Sequence, residues 1–174
     1  MSRTALILAA HGSRHEPTTN ALLRDWAALL AVRSGLFHDW NRQAQLDDCS
    51  LSSAGGDAGR YFDHGRLAAR GMFDEVTAAF HQGRPTFAEV IDQLSAERVV
   101  VVPVMTSEGY YCDEFLPSEL TKNRRFDEVE LTITKPVGVH PEMVGLVEAR
   151  AIELARKFAI GVDTAALAVI GHGT

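Results

Sequence analysis

Cysteine is scarce in this chain. There are two, Cys49 and Cys112, far apart and in no CxxC pair. A zinc knuckle or a disulfide scaffold needs more, so a reducing, cytoplasmic setting is expected. Long apolar runs are missing too. Ala5–Ala10 stops at His11, and Val99–Met105 is interrupted by Pro103. Both are too short for a secretory leader or a membrane span, so no membrane partner is expected. Positive charge is not in excess: 17 Lys and Arg stand against 23 Asp and Glu, a net charge of −6. A nucleic-acid binder needs a basic face to meet phosphates, so that partner is not expected either. Neither GxGxxG nor GxxxxGK[ST] occurs, which leaves nucleotide binding without a motif.

What is present suits a globular protein. The chain has 174 residues, 46% apolar and 23% charged, enough for one domain or slightly more. Ala5–Ala10 reads as a strand buried on both faces, as in parallel sheets. Pro17 opens a helix along which Leu22, Trp26, Leu29, Leu30 and Arg33 recur at helical spacing, ending near Gly35. A second strand is expected at Glu75–Phe80 and an amphipathic helix at Thr86–Leu94. A third strand is expected at Val99–Val104, a short helix at Phe115–Thr121 and a fourth strand around Leu131 and Ile133. A last helix from Pro141 carries Met143, Val147, Ala151, Leu154 and Phe158 as its apolar stripe. Alternating strands and helices predict an α/β, three-layer domain with a four-stranded parallel sheet in flavodoxin-like order.

Two features fall outside that alternation. Leu36–Gly71 is long and polar where a few residues would connect a helix to a strand; its aromatics and histidines suggest an ordered flap. The second feature is a repeat. Ala5–Ser13 lies without a gap over Ala166–Thr174, both apolar stretches ending in His-Gly-Ser/Thr. The expected organisation is one domain over 1–162, with an insertion at about 36–71. The first strand of a second, similar half is expected at 163–174.

His11 stands at the carboxyl end of the first strand, where open α/β sheets bind ligands. A neutral imidazole there can accept a proton or hold a metal, although a turn histidine bonded to the sheet edge has the same signature. Ser13 can cap the next helix. After the third strand, Thr106–Pro117 gathers tyrosines, a thiol and carboxylates. Within it Glu108 is a candidate proton acceptor and Cys112 a soft metal ligand; the alternative is a solvated loop. His81 and His140 also follow strands and are further candidates. Lys122, Arg124 and Arg125 are either a solvated basic face or a contact for an acidic ligand.

These motifs together resemble the CbiX-type (class II) sirohydrochlorin cobalto-/ferrochelatases, as the N-terminal half of a two-half member. The likeness runs through Leu-Ala-Ala-His-Gly-Ser-Arg at 8–14, Phe80–Pro85, Val99–Pro117 and Pro-Val-Gly-Val-His-Pro at 136–141. It implies a tetrapyrrole metallochelatase that inserts a divalent metal (cobalt, iron or nickel) as substrate and requires no cofactor. In that reading His11 and Glu108 are catalytic, and His11, His81 and Cys112 meet the metal. Ser13, Arg14, Tyr111 and His140 bind the tetrapyrrole. A second similar half or a homodimer partner completes the cleft. Two positions depart from the family pattern. Tyr111 stands where a histidine is common, and Gln82 where a glutamate is common. A phenol keeps its proton at neutral pH and is a poor metal ligand. The alternative expectation is therefore a non-catalytic tetrapyrrole- or metal-binding module of a longer multidomain protein.

Overall fold

The computed structural model describes residues 2–33, 72–161 and 165–170. Strand β1 (Thr4–Gly12) leads to α1 (Pro17–Arg33), and β2 (Glu75–Gln82) leads to α2 (Phe87–Val90), which tightens into a 3-10 turn at Ile91–Gln93. Strand β3 (Arg98–Pro103) is followed by a π-helical turn (Tyr111–Phe115) that runs directly into α3 (Leu116–Leu120). Then come β4 (Glu130–Ile133), a 3-10 turn (Val137–Val139) and α4 (Glu142–Lys157). The four strands form one parallel sheet in the order β2-β1-β3-β4. The expected fold class and strand order are present. The polar stretch at 36–71, read as an insertion, lies outside the described residues.

The apolar run of β1 is continuous because both its faces are covered. Ala5, Ile7 and Ala9 face one way, packed with Ala79, Val99 and Val101 under Phe87, Val90, Ile91, Leu116 and Leu120. Leu6 and Leu8 face the other way, with Ala78 and Phe80, under Leu23 and Ala27 of α1. Helices on both faces are what a parallel sheet requires. Local chemistry sets the ends of α2. The Glu89 carboxylate reaches back to accept the Thr86 N–H at 3.0 Å, satisfying a donor that the first turn leaves open.

Two expected apolar stripes meet the core only in part, Leu30 being the member of the first that packs against it. Along α1 the structure buries Asn20, Leu23, Ala27 and Ala31, while Leu22, Trp26 and Leu29 are exposed. Apolar residues surround this helix, so spacing alone selects a face without saying which face meets the sheet. Along α4, Val147, Leu154 and Phe158 are exposed and Ala155 is the buried member. Residues 165–170, the repeat of β1, pair with no strand among the described residues and are exposed, Ile170 at 92%.

The basic cluster is structural. Lys122 pairs with Glu119, Arg124 with Asp92 and Arg125 with Glu128. Arg125 also donates to the carbonyls of Ile91 and Leu94, closing the end of the 3-10 turn. Among the described residues no helix is long and apolar enough to cross a membrane.

Candidate functional site

The site is set by strand register. Ala10 of β1 lies beside Phe80 of β2, and Gly12 lies beside Gln82. His11 and His81 are therefore level on adjacent parallel strands. By the alternation of a strand both share the face of Ala9 and Ala79. Their rings lie 5.0 Å apart, centroid to centroid, at the carboxyl end of the sheet. From α3's side of the sheet the π-helical turn brings in two further rings. Tyr111 stands 5.0 Å from His11 and Phe115 stands 4.5 Å from His81, both edge to face. Such π turns are uncommon and tend to mark functional sites.

Hydrogen bonding fixes the His11 tautomer. Nδ1 lies 3.0 Å from the Gly12 carbonyl oxygen, which can only accept, so Nδ1 carries the proton. In the neutral ring Nε2 is then the acceptor, and it faces the Tyr111 hydroxyl at 3.3 Å. Gly12 makes this possible. Its φ of +68° lies in the left-handed region, and a Cβ there would sit 2.8 Å from Asn20 Oδ1 and 2.9 Å from the Gln82 carbonyl oxygen. The pKa of His81 is lowered, chiefly because burial disfavours its charged form, and next by electrostatic coupling to His11 and to the Arg14 guanidinium. At neutral pH His81 accordingly keeps a ring lone pair for a ligand.

Asn20 holds the two histidine loops together, and pattern reading overlooked it. Its Oδ1 accepts the Ser13 N–H at 2.9 Å, and its Nδ2 donates to the carbonyls of Ser13 at 2.9 Å and Gln82 at 3.2 Å. The sequence does hold a clue. Asn20, Leu23, Ala27 and Ala31 share one helical face, and an amide on a buried face needs partners. Replacing Asn20 with Ala strands three backbone groups and is expected to cost about 1–3 kcal/mol. Urea denaturation measures this, and an unchanged midpoint would show that solvent satisfies those groups instead.

The remaining candidates divide. Ser13 Oγ accepts the N–H groups of His15 and Glu16, at 3.2 and 2.9 Å, so it shapes the turn before α1. Arg14 is exposed near the histidines and its charge reaches His81. Three other candidates lie apart from the histidine pair. Glu108, read as a catalytic carboxylate, is exposed and paired with Lys135 at 3.1 Å. Cys112, read as a metal ligand, is buried with Sγ 3.3 Å from Met105 Sδ. Burial, and then the nearby carboxylates of Asp113 and Glu108, push its thiol pKa up, away from the thiolate that a metal needs. His140 lines a separate apolar groove with Val102, Pro136, Val137 and Val139. Its Nδ1 accepts the Glu142 N–H at 3.3 Å, the work of a helix-start residue. Gly138 positions that groove, donating its N–H to the Met105 carbonyl at 2.9 Å.

Among the described residues no three His, Cys, Asp or Glu side chains gather to hold a metal. The site offers two imidazoles and a phenol on an aromatic floor. It can bind a metal ion weakly or accept a proton, and it presents ring faces to a flat ligand.

Known proteins share this chain's sequence pattern and its fold. The model of the CbiX family matches residues 58–154, which take in β2, β3, β4 and most of α4. A curated protein of Halobacterium salinarum, named "Probable sirohydrochlorin cobaltochelatase", is 35% identical over 124 residues. That covers 60% of this chain and 42% of the relative, so the chain spans less than half of the relative's length. Among solved structures, a multi-domain protein of Deinococcus radiodurans with structural similarity to chelatases superposes with a TM-score of 0.61. It is 24% identical, over 88% of this chain and 29% of that one. A CbiX protein of Marinobacter aquaeolei VT8 superposes with a TM-score of 0.50 at 14% identity, over 88% of this chain and 98% of that one. With a family match over more than half of its length and a chelatase-like parallel sheet beneath the histidine pair, this chain belongs to the CbiX family.

Proposed function

We propose that the chain is a metallochelatase that inserts a divalent metal, cobalt foremost, into a tetrapyrrole of the sirohydrochlorin type. The observation that carries this is the His11–His81 pair, 5.0 Å apart at the open end of the sheet. An inserting enzyme must strip water from the metal without trapping it. Two imidazoles, with no carboxylate cage among the described residues, suit that task, since four fixed ligands would retain the ion. The name of the Halobacterium salinarum relative supports the choice of cobalt and sirohydrochlorin.

The chemistry needs no redox or nucleotide cofactor. The metal loses waters and bonds to ring nitrogens, while two pyrrole N–H protons leave. His11, whose acceptor Nε2 faces the Tyr111 hydroxyl, is the group that takes a proton in this reading. His81 offers a second imidazole at the same level, and Tyr110, Tyr111 and Phe115 line the approach with ring faces. Arg14 supplies a positive charge for an acidic macrocycle's carboxylates. The exposed apolar residues of α1 and α4 support a second similar half, or a second copy, packing against this chain.

Absorbance-monitored cobalt insertion into sirohydrochlorin tests the reading. Turnover above the spontaneous rate is expected, and none above it would remove the chelatase assignment. Gln82 favours one second reading, a binding module without turnover, because an amide cannot take the proton that a glutamate accepts. That reading predicts tetrapyrrole binding with no rate above the spontaneous one.

A further inference from the structure

Tyr111 lies against the nitrogen on which the proposed chemistry depends. His11 Nδ1 is committed to the Gly12 carbonyl, so Nε2 holds the ring's available lone pair. The group facing that lone pair is the Tyr111 hydroxyl, at 3.3 Å. An imidazole acceptor needs a donor opposite it, so the phenol proton points at His11. We propose that Tyr111 is a positioning residue that occupies His11 Nε2 in the metal-free protein, so that an incoming divalent ion must displace its hydroxyl. The proposal rests on the chelatase reading and names what regulates its central nitrogen.

The placement of Tyr111 is built into the fold. The preceding loop turns at Gly109, whose φ of +136° favours glycine, and the Asp113 carboxylate accepts the Gly109 N–H at 3.0 Å. The N–H groups of Cys112 and Asp113 both donate to the Gly109 carbonyl, at 2.8 and 2.9 Å. Cys112 is anchored in the core beside Met105. The Tyr111 ring is then flanked by Tyr110 at 5.7 Å and Phe115 at 5.4 Å, with His81 5.7 Å away. Its hydroxyl is thus carried to His11 by a constrained turn.

The consequence concerns affinity. A histidine at position 111 would add a further nitrogen to those of His11 and His81 and tighten the metal's hold. A phenol instead competes for the first nitrogen and loosens it. The 3.3 Å separation is long for an O–H donor. The hydroxyl therefore weakens metal binding without blocking it, as handing an ion on to a macrocycle requires.

The test uses Tyr111→Phe, which keeps the ring packing and removes the hydroxyl. Calorimetric titration of the full chain with Co2+ alone should show binding about two- to fivefold tighter than in the native protein, the lower part of the range for a neutral hydrogen bond. In the metal-free proteins, nitrogen-15 spectra of the histidines should show the His11 Nε2 resonance moving downfield, with His11→Ala identifying the signal. A merely structural tyrosine would not move that resonance. Equal or weaker Co2+ affinity in Tyr111→Phe, or an unmoved Nε2 resonance, overturns the proposal while leaving the chelatase reading intact. Absence of Co2+ binding in both proteins overturns the two together.

Discussion

Replacement of His11 with Ala is expected to bring cobalt insertion into sirohydrochlorin down to the spontaneous rate. Removing a positioned proton acceptor ordinarily costs about 10²- to 10⁴-fold, and here the same nitrogen is also the proposed metal contact. The loss should lie in turnover rather than folding. His11 is exposed at the strand end, so the expected stability change is within about 1 kcal/mol. Running insertion kinetics and urea denaturation on the same preparation separates the two effects. A variant that folds normally and still inserts cobalt at the native rate would sink the assignment of His11. His81, 5.0 Å away, would then be the next candidate.

The second large effect belongs to Phe80. This ring is fully buried, on the face of the sheet opposite the histidines' face. It fills the space beneath both site loops. A Cβ added at Gly12 or at Gly83 would come within 3.0 Å of it, and the Arg24 guanidinium lies 5.2 Å from its centroid. Phe80→Ala should cost about 3–5 kcal/mol through lost burial and the cavity left behind. At an ordinary urea sensitivity of about 1–3 kcal/mol per molar, the midpoint falls by roughly 2 M. His81 follows Phe80 directly on β2, so the variant should also bind Co2+ more weakly under conditions where it remains folded. A midpoint shift smaller than about 0.5 M would mean that the neighbouring chain collapses into the space, and that Phe80 does not hold the loops apart.

The family resemblance and the order of elements were open to sequence reading because they rest on local chemistry. An unbroken apolar run such as Ala5–Ala10 has few alternatives to a strand covered on both faces. Pro17 and Pro141 mark helix starts through their fixed φ, and Gly12 marks a turn that residues with a Cβ resist. His11 was legible for the same reason, as a histidine beside a glycine at a strand's end. Other conclusions were not local. Along α1 the periodicity of Leu22, Trp26 and Leu29 was as good as that of Leu23, Ala27 and Ala31; contact with β1 and β2 selects the second set. Glu108 and Cys112 sit in a loop dense with reactive groups, yet Lys135 takes the one and the core beside Met105 takes the other.

Composition, charge and apolar patterning are properties of neighbours along the chain. They are enough to specify a four-stranded parallel α/β sheet, its alternation with helices and a histidine at its open edge. The pairing of His11 with His81, the Asn20 brace and the Tyr111 hydroxyl over Nε2 join residues distant in sequence. Those contacts exist because register sets Ala10 beside Phe80 and because a π turn carries one ring back over the sheet. Neither the register nor the turn leaves a period in the sequence.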